Sequence, residues 1–338
     1  MEISTVWTAW PLVGPCQLTP LVGGINKSVW RVHAADEKSY VMCIFLDPPH
    51  EARIRYEQQL LRALAQKNLP FLVPELLLAS HGDVIVHFEN EQGTPAFAFI
   101  YPFLPGEMSR SAECINASQA GHALALLDQA LVSLPKIVAA APLEFKHSLP
   151  FGEFAKRYPL MPDPLVAVQE LPLEREQCQH LSTILTHILG SIEDLYTRLP
   201  QQLVHRDVDP SNILFDVQGV TAILDFEFAA VDLRVLDLCV SLSWWPVSRM
   251  GTGTEWEIFD ALGSSYMAVF PLEDHELLAL PEVMQLRDAA SLMAHIGRYR
   301  AGELSVSKIQ QRVQHSLWRD AWLSAHRETL LEHALSWR

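Results

Sequence analysis

The chain has 338 residues, no low-complexity stretch, a composition that is 49% hydrophobic, a formal net charge of −15 and an isoelectric point near 5.3. That apolar share supports a core without covalent staples. The acidic balance excludes a nucleic-acid surface, which needs clustered Lys and Arg to neutralise phosphates, but leaves room for a local electropositive site that takes an anionic ligand.

From the N-terminus, Met1 to Thr5 carries no basic stretch ahead of an apolar run, so no secretory leader is expected. The first hundred residues read as strands around one helix. Val29–Val32 and Tyr40–Phe45 flank the polar turn Ala35–Lys38, a hairpin pattern. Residues 51–66 read as a helix, with Ile54, Leu60, Leu61 and Leu64 at spacings near three and four, stopped by Pro70 and Pro74. Val84–Phe88 and Ala96–Tyr101 are two further strands across the turn 89–93. Pro102-Phe103-Leu104-Pro105-Gly106 breaks the pattern. Beyond it helices dominate: 117–134 and 174–199, with a Pro-rich irregular stretch over 139–172 between them, a short hairpin over 212–226, and helices again from about 255 to 335. The expected fold class is α+β, with a small antiparallel-sheet lobe over 1–101, a hinge over 102–106 and a larger, mainly helical lobe over 107–338. Clefts between lobes favour small ligands. The longest apolar runs, near 96–104 and 235–247, fall short of the ~20 residues that span a bilayer. Cys16, Cys43, Cys114, Cys178 and Cys239 are scattered, odd in number and without a C-x-x-C pair, which argues against a disulfide framework and a zinc site. The expectation is a cytoplasmic protein with no membrane or nucleic-acid partner.

Leu203-Val204-His205-Arg206-Asp207-Val208-Asp209-Pro210-Ser211-Asn212-Ile213-Leu214-Phe215 carries the most information. His-Arg-Asp with Asn five residues after the Asp is the pattern of a kinase catalytic loop. Ala222-Ile223-Leu224-Asp225 follows on the hairpin's second arm. A hairpin of this length returns its ends to one edge, so Asn212 and Asp225 are candidate ligands for Mg²⁺, a hard cation that prefers oxygen donors. Asp207 is the candidate catalytic base, a carboxylate that orients a hydroxyl and accepts its proton, and His205 is read as support for the loop. Gly23, Gly24, Asn26 and Ser28 lie between two strands, where glycines and backbone amides cover phosphates or simply turn a hairpin. Glu57 on the first helix either positions a phosphate-binding cation or is a solvated helix acid. In the connector, Pro102 supplies a carbonyl and Leu104 an N–H, the pair that adenine recognition uses.

These motifs resemble the aminoglycoside phosphotransferase family, which has a protein-kinase-like fold. Asp225–Ala230 with Leu236–Trp244, Tyr266–Leu272, and Leu280–Glu282 leading to Arg287–Ala290 are closest to the phosphotransferase-type homoserine kinases. The resemblance implies ATP and Mg²⁺ as cofactors, Asp207 as base, Asn212 and Asp225 on the metal, Asp237 as a buttress of the catalytic loop, and a small-molecule hydroxyl as acceptor: an amino alcohol, a homoserine-like compound, an amino sugar or an antibiotic. A cationic acceptor would suit the acidic surface.

Two departures stand out. Kinases of this fold carry Lys on the third strand, where this chain has Cys43, expected to line the nucleotide pocket as a small buried residue; Lys27 and Arg31 are the nearby cations. Asp209 stands where Lys or His is usual. Together they raise the alternative of a pseudokinase-like nucleotide- or ligand-binding module. A protein kinase is disfavoured, because no Ala-Pro-Glu segment follows Asp225. Trp244 and Trp245 either floor an acceptor pocket or pack the core. Arg287, Arg298 and Arg300 either grip an acceptor carboxylate or are solvated helix charges.

Overall fold

The computed structural model describes residues 3–21, 27–45, 51–90, 92–109, 113–134, 151–156 and 163–338. The chain divides into two compact units, residues 1–107 with 214–227, and 108–213 with 228–338.

In the first unit, β1 (Gln17–Pro20), β2 (Ser28–His33), β3 (Ser39–Phe45), β4 (Val86–Glu89) and β5 (Pro95–Pro102) form one antiparallel sheet in the order β1-β2-β3-β5-β4. The alternation of each strand sorts its side chains between two faces. Val32, Met42, Ile44, Ala98 and Ile100 join Val6 of the N-terminal 3-10 turn and Trp10 just after it in one core. Cys43, Phe45, Phe97 and Phe99 have the opposite parity, and Phe45 stacks on Phe97 at 5.1 Å. Helix α1 (Glu51–Ala65) buries Arg53, Ile54, Tyr56, Glu57, Leu60, Leu61 and Leu64.

Strand β6 (Glu107–Met108) pairs with β8 (Ile213–Phe215), whose hairpin with β9 (Val220–Ile223) was expected with the helical part. From Leu214 onward it packs instead with the first unit: Leu72 N–H donates to Thr221 O and Ile223 N–H donates to Leu72 O, at 2.8 and 3.0 Å. Gly106 has φ 114°, and a Cβ there would lie 2.3 Å from Thr221 Oγ1, so the chain needs glycine at this point.

The second unit holds α2 (Cys114–Val132), α3 (Phe151–Lys156), α4 (Pro164–Gln169), α5 (Arg175–Arg198), α6 (Leu236–Trp244), α7 (Glu255–Met267), α8 (Asp274–Leu277), α9 (Leu280–Arg300), α10 (Val306–Ala325) and α11 (Arg327–Ser336). The stretch expected to be irregular contains α3 and α4. Asp163 caps α4, its side chain accepting from Leu165 N–H, and Pro164 occupies the first turn, where a missing N–H costs nothing. Helices α2 and α7 meet so closely that a Cβ on Gly121 would lie 2.2 Å from Leu262 O. Strands β7 (Gln201–Val204) and β10 (Ala230–Leu233) pair antiparallel. Among the described residues no helix is long and apolar enough to cross a membrane, and all five cysteines are free thiols.

Candidate active site

The segment His205–Asn212 leaves the buried end of β7 and is fixed by its own backbone. Asp237, fully buried on α6, accepts from His205 N–H at 2.6 Å and Arg206 N–H at 2.5 Å, one carboxylate oxygen for each. Arg206 has φ 71°, in the left-handed region that a non-glycine residue avoids. Its buried guanidinium donates to Phe228 O at 2.6 Å and pairs with buried Asp232 at 3.4 Å. Asp207 N–H donates to His205 Nδ1 at 3.2 Å, so His205 braces the loop. The Asn212 amide nitrogen donates to Asp207 O at 2.8 Å and to Asp207 Oδ2 at 3.2 Å. Asp209 turns its Oδ1 to Ser211, accepting from N–H at 2.7 Å and from Oγ at 2.5 Å, in an Asx-type turn. This local role accounts for a carboxylate at a position where a cation is usual.

Arg287 on α9 points its Nη2 at Asp207 Oδ1, 4.0 Å away, and stacks on the Trp244 ring at 5.1 Å. It is 7% exposed and forms no hydrogen bond among the described residues. Behind it, Asp288 pairs with Arg312 at 2.9 Å, accepts from Ser316 Oγ at 2.6 Å and lies 3.8 Å from Arg319. Arg319 donates to Ser243 O and to His315 Nε2, both at 3.0 Å. Burial and the neighbouring arginines lower His315 to about 4, so its ring is a neutral acceptor. Burial raises Asp288, but Arg312 and Arg319 outweigh it and hold the carboxyl at about 2. Asp288 therefore already has its cations, whereas among the described residues the Arg287 guanidinium has only Asp207 within salt-bridge range.

The first unit holds a second polar cluster. Lys27 Nζ lies 2.9 Å from Asp225 Oδ1 and 3.3 Å from Glu227 Oε2, and Arg53 pairs with Glu227 at 2.9 Å. Asp225 does not end β9 as expected. It lies two residues beyond it with φ 59°, leading into the 3-10 turn Phe226–Phe228. Such strain persists only where the surroundings impose it, and it clusters at functional sites. Glu57 is 9% exposed, which removes the solvated-acid reading; burial raises its carboxyl to about 7 against the lowering effect of Lys27. It forms no ion pair among the described residues. Cys43 is buried, and burial pushes its thiol up to about 12, so it stays neutral.

At the connector, Phe103 N–H is taken by Ser39 O at 2.9 Å, while Leu104 N–H has no hydrogen bond among the described residues. Pro102 closes β5 opposite Tyr40. Ser28 opens β2 opposite Ile44. Gly23, Gly24 and Asn26 lie outside the described residues.

Several sequence readings change. Trp244 and Trp245 part ways: Trp245 is core at 2% exposed, whereas half-buried Trp244 carries Arg287 on its ring and lies 5.5 Å from Arg319. Arg298 and Arg300 are surface charges paired with Glu303 and Glu170, as the plainer reading expected, but Arg287 is buried beside the catalytic loop. Asp237 lies in the first turn of α6, whose N-cap is Val235, and its carboxylate accepts from the loop backbone, the position in which a buttress was expected. The linkage of Lys27 to Asp225 and Glu227 spans about 200 residues, and no local pattern announces it.

The sequence profile of the phosphotransferase enzyme family matches residues 17–255. The chain belongs to this family. A relative named homoserine kinase, from Phenylobacterium zucineum (strain HLK1), is 25% identical over 286 residues, covering 83% of this chain and 79% of its own. Among solved structures, the amicoumacin kinase hAmiN, in complex with AMP-PNP, Ca²⁺ and Ami, superposes with a TM-score of 0.68 at 14% identity, covering 93% of this chain and 92% of that one. A microcompartment-associated aminopropanol kinase gives 0.68 at 16% identity, with 99% and 98% covered. The fold of this phosphotransferase is thus the kinase-like one, with an antiparallel N-terminal sheet and a helical C-terminal part.

Each unit holds an oxygen donor of the type that the metal of such chemistry takes. Asn212 spends its amide nitrogen on Asp207, and its amide oxygen could hold a metal. Asp225 is 28% exposed at its side chain and engages Lys27 through Oδ1. Taken separately, a carboxylate and an amide oxygen are each the kind of hard donor that Mg²⁺ prefers.

Proposed function

We propose that this phosphotransferase moves the γ-phosphoryl group of ATP to the hydroxyl of a small acceptor that carries a carboxylate, with a homoserine-like hydroxy amino acid as the leading class. The single observation behind the acceptor class is Arg287: a buried guanidinium with no hydrogen bond among the described residues, stacked on Trp244 and aimed at the base. A guanidinium taken out of water favours an anionic partner, and its planar fork fits a carboxylate in two parallel hydrogen bonds. The cationic acceptor expected from the net charge has no free carboxylate at Asp288, which is already paired with Arg312 and lies 3.8 Å from Arg319. The relatives named homoserine kinase support the same class.

In this reading Asp207 accepts the proton of the acceptor hydroxyl as the oxygen attacks phosphorus. Asn212, bonded to the Asp207 carbonyl and carboxylate, fixes the base and would offer its amide oxygen to the metal. The metal, when bound, neutralises charge on the phosphates. Leu104 N–H and the Pro102 carbonyl receive the adenine, and Ser28 with Gly23, Gly24 and Asn26 covers the phosphates. The local bonds of Asp209 remove one motive for a non-catalytic module.

The test is ADP release measured over homoserine, 3-amino-1-propanol (homoserine without its carboxylate), choline, a sugar and an aminoglycoside. Turnover is expected with homoserine, with at least ~10-fold lower kcat/KM for 3-amino-1-propanol, the worth of one charge-assisted pair. Arg287→Gln should raise the acceptor KM by a similar factor and leave the affinity for ATP unchanged. Equal use of both acceptors would remove the carboxylate from the account.

A further inference from the structure

Residue 43 is the position from which kinases of this fold extend a lysine toward nucleotide phosphates, and here it holds a neutral thiol. Two nearby cations are available on β2 and at its entry. Arg31 is committed elsewhere: its guanidinium stacks on Phe103 at 4.0 Å and donates to Ser39 Oγ at 3.3 Å, at the connector end of the sheet. Lys27 lies at the other end. Val29 sits directly opposite Cys43 in the β2–β3 ladder, and Lys27, two residues earlier, shares its parity, so it falls on the face that Cys43 occupies. Its side chain is only 11% exposed, and its ammonium lies 2.9 Å from Asp225 and 3.3 Å from Glu227. Glu227 already has Arg53 at 2.9 Å. The ammonium is therefore not required for Glu227, and the group it holds by itself is Asp225, the carboxylate assigned to the metal.

We propose that Lys27 is the phosphate-binding cation of this chain, moved from the third strand to the entry of β2, where it holds Asp225 until nucleotide and metal arrive. This deepens the phosphotransferase reading and rests on it. A lysine on a flexible four-carbon stem can exchange a carboxylate for a phosphate oxygen with a small rotation. With the Asp225 charge compensated by a bound metal, the Lys27 ammonium would be free to turn to the α- and β-phosphates. The thiol at 43 leaves the space that a strand lysine would fill.

The test is nucleotide affinity by titration calorimetry, for MgATP and for adenosine, which lacks phosphates. Lys27→Met should weaken MgATP binding at least ~10-fold, the scale of a charge-assisted hydrogen bond, and leave adenosine affinity unchanged, which also reports an intact fold. Lys27→Gln should behave alike. Returning the lysine to the strand, in Lys27→Met/Cys43→Lys, should recover most of the loss. MgATP binding within ~2-fold of wild type in Lys27→Met, or a parallel loss of adenosine affinity, would overturn the assignment while leaving the phosphotransferase reading intact. Wild-type protein that binds neither ligand would overturn both.

Discussion

Asp237 anchors the catalytic loop through two bonds that the chain cannot easily replace. It is fully buried, and its two oxygens accept from His205 N–H at 2.6 Å and Arg206 N–H at 2.5 Å. Asp237→Ala leaves both N–H groups without an acceptor. Each such loss costs ~1–3 kcal/mol, so the variant should lose about 2–6 kcal/mol. Asp237→Asn keeps one acceptor oxygen but turns an NH₂ toward the other N–H, and should lose about 2–3 kcal/mol. Asp128 interacts with Asp237: burial first, and then the Asp237 charge, push its carboxyl well up. Asp128→Asn combined with Asp237→Asn should therefore cost less than the sum of the two singles. Urea denaturation at pH 7 reads the order wild type, Asp237→Asn, Asp237→Ala. The strained Arg206 lies next to Asp207, so turnover should fall further than stability alone explains, by ~10²-fold for a displacement of about 1 Å. An Asp237→Ala variant within ~0.5 kcal/mol of wild type would refute the reasoning.

Two further outcomes are expected. Asp288 is held at about 2 in the folded chain against an ordinary value of 3.8. A depressed carboxyl contributes stability that is complete above pH 3.8 and is lost as pH falls through 2. The difference is worth about 2 kcal/mol, so denaturation of Asp288→Asn should show a smaller fall in stability than wild type across that window. Leu104→Pro removes the free N–H at the connector and should weaken ATP binding about 2–10-fold, the worth of one neutral hydrogen bond, whereas Leu104→Ala should not; calorimetric titration of both variants decides it.

What the sequence made legible follows from how local each signal is. The β2–β3 hairpin announces itself through alternation and the polar turn Ala35–Lys38, and α1 through its apolar spacing. The loop His205–Asn212 is legible because its chemistry needs fixed residue types at fixed offsets. Three features escaped for physical reasons. Strand β7 starts with two glutamines, and its partner β10 lies beyond an intervening hairpin, so neither alternation nor a turn marks the pair. Helix α9 buries Leu280, Val283, Met284, Leu286, Arg287 and Asp288, positions on almost every side, so no stripe told which arginine faces inward. Lys27 finds Asp225 only through the tertiary fold. The Pro-rich stretch misled in the opposite direction, because Asp163-Pro164 starts a helix instead of preventing one.

The measurement that bears most directly on the account is acceptor-dependent ADP formation by Asp207→Asn, with MgATP affinity determined on the same preparation. Loss of a positioned base predicts turnover with homoserine lower by 10²–10⁴-fold, roughly, with MgATP affinity unchanged. Turnover near the wild-type rate in that variant would contradict the central claim that Asp207 takes the acceptor's proton.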